Sequence, residues 1–559
     1  MLDYAAAAHG SQRSMRKLFA VLLLIAFPLS ANEISVHTLQ SGSTYGPMPL
    51  FDHGLHGEGQ IIAVLDTGVD WDNCYFAEAD GSAPPYNLRV GDTAVDLSRR
   101  KIIAYDFLYS CAAFPNASGC DDPANPKAFD NQGHGTHAAA SAVADRGTPV
   151  EHDYGDAIAA GAKLIVQDAG YTGGDNCSQR PGIGCPVNLG PILAQAYAQG
   201  ARIHSNSWGD SQGNAFAPKT ANYSQSARDV DAFVYDHPDM LVVFNTGNYG
   251  QNAAPPASTL SAPGCAKNTL QVGGTRTVRY TEDDVLALYS LAGPTRDGRL
   301  KPDVVGPAQV TAADSDLSIG THNCDMSSQS GTSWASPTIA GAAALVRQYY
   351  TAGYYPSGAP AAADRFTPSA ALLKATIIAA ARSVPYIGTP DGGYTNAPPA
   401  PNATQGFGFP VLGDVLYFPG NIAKLRVADV ANGLAQGETT STAIAVRAGT
   451  PLKAVLVWTD PPGVVRGTTD PTPELVNDLD LRVVDAAGTT ILGNDALHPG
   501  QPDRLNNVEV VSIPNPSAGN YTVSVTANRI GSGGRQNYAL VISGDIADAA
   551  KARHRAVGR

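Results

Sequence analysis

From about Gly59 to Tyr349, short β-branched apolar runs alternate with Ala-rich stretches of helical period. The segments QIIAVLDTG, AKLIVQDAG, ARIHSNSWG, MLVVFNTGN and LQVGGT each read as a buried parallel strand that ends in a polar or Gly-rich turn. Between them, PILAQAYAQG and the stretch after Gly331 read as helices. This alternation predicts βαβ units, and so an α/β fold with a parallel sheet covered on both faces. Such folds place chemistry at the carboxyl ends of the strands, where the unusual residues of this chain also fall.

After about Asn421 the pattern changes. STAIAVRAG, LKAVLVWTD, LDLRVVD, NNVEVVSI, YTVSVTAN and YALVISG are short strands separated by Gly, Pro, Asn and Asp turns, with no clear helix. They predict an all-β sandwich or jelly-roll domain over 421–545, followed by a polar tail at 546–559. The Pro/Gly-rich stretch around 385–410 reads in part as a linker closing a first domain that spans 32–420.

Composition narrows the function classes. Of 559 residues, 43% are hydrophobic and 16% charged, enough apolar material for large cores. The net charge of −13 argues against nucleic acid as a partner, because phosphate binding requires clustered Lys and Arg. At the N-terminus, Arg16 and Lys17 precede an apolar run from Leu18 to Leu29, and Ser30-Ala31 offers a small-residue cleavage site. Residues 1–31 therefore read as a secretory leader, with Met15 as a plausible start, and the run is too short for a membrane span. The expected location is outside the cell or in the periplasm. No second long apolar stretch follows, and a monomer is expected.

Seven cysteines suit an exported chain. Cys111 with Cys120, and Cys177 with Cys185, are expected as short-loop disulfides. Cys265 with Cys324 offers a third bridge that would leave Cys74 over, although spacing does not fix connectivity. A zinc site is a weak rival, since there is neither a CxxC pair nor an HExxH helix.

Three segments carry candidate chemistry. Asp66 ends the apolar run of VLDTGVD, His134 opens a small-residue helix in NQGHGTHAAA, and Ser333 starts another in SGTSWASPTIAGAAALV. Singly, these are an everyday turn former, an ambiguous histidine and an N-cap. Together they supply what amide hydrolysis by a hydroxyl requires: a nucleophile, a base for its proton, and a carboxylate that fixes the imidazole tautomer. A serine at a helix N-terminus also brings backbone N–H groups toward a developing oxyanion.

DTGVD, GHGTH and GTSWASP resemble the three signature motifs of the subtilases, the subtilisin-like serine peptidases. The resemblance implies that Asp66 orients, His134 acts as general base and acid, Ser333 is the nucleophile and His137 is structural. FNTGNYG is similar to the oxyanion segment of that family, which makes Asn248 the side-chain donor; Asn245 and Asn252 do not follow the Gly as the motif requires. SNSWGD resembles the strand that pairs with bound peptide, so that Ser207, Trp208 and Gly209 would line the cleft for protein or peptide substrates. With its β-rich tail, the chain is similar to the branch of bacterial alkaline proteases that carries a C-terminal β-barrel domain.

The chain also departs from the family. Trp334 stands where subtilisins usually have Met, and SLAGP (Ser290 to Pro294) replaces SSRGP. Only 28 residues run from Asn32 to Gly59, too few for the inhibitory pro-domain common in the family. No cofactor is needed for the chemistry. Structural calcium is a family habit, and the carboxylates of NDLDL (Asp478, Asp480) are candidate ligands beside their ordinary reading as turn residues. An α/β-hydrolase lipase is disfavoured, because GTSWA ends in Ala335 and the chain order is Asp, His, Ser. An inactive surface or binding protein on the same scaffold is the alternative from outside the enzymes.

Overall fold

The computed structural model describes residues 31–547, apart from short internal stretches at 115–119, 127–128, 131, 148–151, 172–181, 184–187, 210–219, 251–253 and 279–281. The leader and the tail from 548, and the Cys177/Cys185 pair, lie outside the described residues.

All five strands expected in the first part form. The central sheet runs in the spatial order Tyr86–Asn87, Ile102–Phe107, Lys163–Asp168, Ile61–Asp66, Ile203–Asn206, Leu241–Asn245 and Leu270–Val278, all parallel. Ile61–Asp66 is therefore the switch strand: the sheet grows from it in both directions, and open α/β sheets place their crevices outside the carboxyl ends of strands at such a point. Successive side chains of a strand point to opposite faces. Ile62 and Val64 accordingly enter one core, while Ala63 and Leu65 enter another under the helices Leu189–Ala198 and Gln225–Asp236. The first core surrounds the helix Thr332–Thr351, which is buried along nearly its whole length. Its small residues let it run through the middle of the molecule.

The stretch around 385–410, expected in part as a linker, contributes two short strands to the edge of the central sheet and a third to a separate two-stranded sheet. Tyr386–Gly388 pairs with the strand Glu282–Leu286, Tyr394–Asn396 adds beside it, and Phe409–Pro410 pairs with Ala381–Arg382. Two helices had no clear signature in the sequence: Gln225–Asp236 is charged on one side, and Ala370–Ala379 is apolar all round because it is wholly buried.

The C-terminal strands form two four-stranded antiparallel sheets. One has the order Lys424–Leu434, Gln536–Gly544, Leu452–Val457, Val508–Ile513; the other Thr439–Val446, Gly519–Ile530, Asn477–Val484, Thr490–Leu492. Leu456, Leu481, Val523 and Leu540 fill the core between them. Val455, Val457 and Val541 of the first sheet point the other way, into the core of the N-terminal part against the helix Ala370–Ala379. A sheet with two apolar faces must be covered twice, which is why this unit packs onto its neighbour.

Two disulfides are present among the described residues. Cys111–Cys120 forms as expected. The long-range bridge is Cys74–Cys324 and not Cys265–Cys324. Cys265 is a buried thiol that donates to the Asn222 carbonyl at 3.1 Å. Asp478 and Asp480 serve an arginine: Arg504 bonds both carboxylates, and Asn528 donates to Asp478 at 2.8 Å. Among the described residues, no cluster of three or more His, Cys, Asp or Glu side chains is arranged to hold a metal ion.

Candidate active site

Asp66 is the last residue of the switch strand and is 1% exposed. Its Oδ1 accepts from the Thr67 N–H at 2.8 Å and from His134 Nδ1 at 2.6 Å. The second contact fixes the tautomer: Nδ1 carries the hydrogen, which leaves Nε2 of a neutral ring as the acceptor.

The His134 helix (His134–Val143) is bolted to the same strand end. Asp130 accepts from Thr67 Oγ1 at 2.7 Å and from the Thr136 N–H at 2.7 Å, while the Gly135 N–H donates to Thr67 Oγ1 at 2.8 Å. Orphan N–H groups of the first helical turn are thereby satisfied by side chains anchored beside Asp66. The two glycines make this approach possible: a Cβ on Gly135 would stand 2.0 Å from the Gly68 carbonyl oxygen. Burial raises the Asp130 carboxyl to about 6, against the pull of its hydrogen bonds to Thr136 and Thr67. No sequence signal marked Asp130, since its role exists only once strand and helix meet.

For His134, burial opposes the imidazolium, but the Asp66 charge and hydrogen bond, with Asp130 behind them, outweigh it and hold the pKa above its ordinary value. The ring keeps 31% of its side-chain surface open, unlike the buried Asp66 behind it. His137, one helical turn on, is the opposite case. Burial pushes its pKa down to about 4, its Nε2 faces the Ser327 carbonyl at 3.1 Å, and its ring lies 4.2 Å from that of Trp334. It is a neutral packing group, in line with the structural role implied for it.

Ser333 is the second residue of its helix, after the extended Gly331. Pro337 sits four residues on and has no N–H to give, so the Ser333 carbonyl is released from the helix ladder. Ser207 Oγ takes that carbonyl at 2.6 Å, tying the backbone of Ser333 to the end of the strand Ile203–Asn206. The Ser333 hydroxyl donates to the Ser207 carbonyl at 3.2 Å, and Asn245 Nδ2 lies 3.5 Å from the same oxygen. The structure thus joins Asp66 to His134 but, among the described residues, shows no hydrogen bond between His134 and Ser333. Trp334 links the two sides, its ring 4.8 Å from that of His134.

Asn248 Oδ1 accepts from both the backbone N–H of Thr332 (2.9 Å) and its hydroxyl (3.0 Å). A backbone N–H cannot accept, so the oxygen must face Thr332 and the NH2 must face away. That NH2 lies beside Gly331, 3.6 Å from where a Cβ would stand, an ordinary contact distance. Ser207, Trp208 and Gly209 follow the last residue of their strand, an interior strand of the sheet, as a segment without regular secondary structure. Trp208 packs edge-on against Phe244, and a Cβ on Gly209 would collide with Ser261 Oγ at 2.1 Å. In SLAGP, Ser290 Oγ accepts from the Gly274 N–H at 3.1 Å, an interior bracing role. Asn245, which does not follow the Gly of the motif, reaches the candidate nucleophile.

The model of the Subtilase family matches residues 57–408. The serine protease/ABC transporter B family protein tagB of Dictyostelium discoideum is 26% identical over 615 aligned positions, covering 88% of this chain and 30% of that protein. Its relative tagA from the same organism is 25% identical, covering 92% of this chain and 32% of that one. The chain therefore spans about a third of the length of these relatives. The serine protease of Aeromonas sobria is a solved structure covering 92% of this chain and 95% of its own, with 15% identity and a TM-score of 0.40.

Proposed function

The chain belongs to the subtilase family, and on that premise we propose that it is an exported serine endopeptidase that cleaves proteins or peptides through an acyl-enzyme. The observation that carries this reading is the short contact from Asp66 to His134, set beside a serine at a helix start whose neighbour Thr332 aims the Asn248 amide.

In this reading an extended peptide lies along 207–209 and presents its carbonyl to Ser333. The Ser333 hydroxyl turns to His134 Nε2, which takes its proton as the oxygen attacks. Asp66 keeps the Nδ1 hydrogen in place and stabilises the imidazolium. The negative charge that forms on the carbonyl oxygen is met by the Asn248 NH2 and by N–H groups at the start of the Ser333 helix. His134 then protonates the leaving amine, and water releases the acyl group by the same steps in reverse. The leader-like N-terminus and two disulfides support export. No helix among the described residues is long and apolar enough to cross a membrane.

The test is hydrolysis of casein by purified protein, its block by a serine-directed phosphonyl or sulfonyl reagent, and its loss in Ser333→Ala. Robust cleavage by that variant would overturn the assignment. Absence of cleavage by the intact, folded chain would instead favour an inactive binding protein on this scaffold.

A further inference from the structure

The Ser333 hydroxyl has one proton to donate, and in this structure the Ser207 carbonyl holds it at 3.2 Å. What the oxygen offers in other directions is lone pairs, so Asn245, 3.5 Å away, must present its N–H side. Asn245 closes the strand Leu241–Asn245 and is 3% exposed. Its Oδ1 has no hydrogen-bond partner among the described residues, so the direction of the amide answers to Ser333. The backbone around it is fixed separately, with the Asn245 carbonyl facing Gln271 Nε2 at 3.4 Å. The backbone of Ser333 is equally fixed, through Ser207 Oγ. Only the Ser333 side-chain torsion is left to move.

We infer that Asn245 is a positioning residue which, together with the Ser207 carbonyl, parks the nucleophile in a resting rotamer until substrate releases it. The inference rests on the reading of 207–209 as the peptide-pairing segment. A peptide laid there brings backbone N–H donors that compete for the Ser207 carbonyl. Once the hydroxyl loses that acceptor, the remaining 3.5 Å contact to Asn245 does not by itself outweigh the acceptor at His134 Nε2, and the hydroxyl turns to His134. The nucleophile is thereby aligned by the arrival of an extended peptide backbone, and a small electrophile that pairs with nothing meets it parked.

The experiment compares two reactions of the same serine in the full chain. One is the second-order rate of Ser333 phosphonylation by a small fluorophosphonate with no peptide portion. The other is kcat/KM for an extended peptide amide. Loss of one hydrogen bond in Asn245→Ala is expected to speed labelling roughly three- to tenfold while peptide turnover changes less, so that the ratio of the two rises. A merely structural role would lower both together. A ratio that stays constant or falls overturns the inference. If Asn245→Ala does not fold, Asn245→Ser, checked by its melting temperature, decides on the same ratio. Labelling of Ser333→Ala would refute the nucleophile assignment itself, an outcome separate from the ratio.

Discussion

Asn248 and Thr332 are joined twice, by the backbone N–H and by the hydroxyl of Thr332, both received by one amide oxygen. The residue beside the proposed nucleophile thus sets the direction of the proposed oxyanion donor. Asn248→Leu, which removes the donor, is expected to lower kcat by roughly 10²–10³ with little change in KM. Thr332→Val keeps the backbone contact and loses the hydroxyl, for an expected fall of about three- to tenfold. Steady-state kinetics on a peptide amide read both, and equal losses in the two variants would refute the ordering.

The acid limb of the pH profile should report His134. Catalysis requires the neutral ring, and Asp66 favours the charged one, so activity should be lost as pH falls through a value above the ordinary 6.5 for histidine. Below that value the imidazolium is paired with Asp66 and cannot take the serine proton. Asp66→Asn should move the His134 titration downward, as followed by NMR of the ring protons, and reduce kcat on the order of 10⁴-fold. A limb below 6.5 in the unmodified protein would contradict this account.

Trp334 fills the space between His134 and His137 with a ring that is 3% exposed. Trp334→Met places a thioether in that spot, and oxidation would make it polar and bulkier beside the reacting groups. Activity followed in dilute peroxide should decay faster in Trp334→Met than in the parent. Equal half-lives would remove any protective role for the tryptophan.

The N-terminal part and the sandwich share a buried ion pair. Lys267 Nζ meets Asp460 Oδ2 at 2.5 Å and also donates to the Pro461 and Glu474 carbonyls, with neither side chain exposed. Burial pushes the Asp460 pKa up, and the Lys267 charge and hydrogen bond oppose it. Lys267→Met should cost about 3–5 kcal/mol, because it strands a buried carboxylate. Adding Asp460→Asn should recover part of that loss. Urea unfolding of the two variants checks the order, and a Lys267→Met protein as stable as the parent would refute it.

What could be read from the sequence was whatever rests on local pattern. The strand ends that carry Asp66 and Ser207, the helix starts at His134 and Ser333, and the six C-terminal strands all follow from periodicity and turn residues. What could not be read depends on distant segments meeting. Cys74 finds Cys324 only because the turn after the switch strand packs on the hairpin ahead of Ser333; the Cys74 N–H even donates to the Asn323 carbonyl at 2.8 Å. Asp478 and Asp480 share Arg504, 24 residues from Asp480, a partner invisible to local spacing. Asn245 was discounted by motif register, whereas strand direction places its amide at Ser333. The prolines of the 385–410 stretch flank its strands, and only Pro410 lies in a paired position, opposite Ala381, so strands this short are hidden by the turn residues around them.

The Cys74–Cys324 bridge closes a ring that contains His134 and Asn248, with Asp66 and Ser333 just outside its two ends. If the proposed peptidase activity holds, the molecule is exposed to it, and surface loops are where chains are nicked first. Any single cut between the two cysteines leaves the flanking pieces covalently attached, with the proposed acid and nucleophile still tethered to one knot. Self-digestion of such a molecule would therefore first yield a nicked protein that remains one body, and that separates into fragments only after reduction.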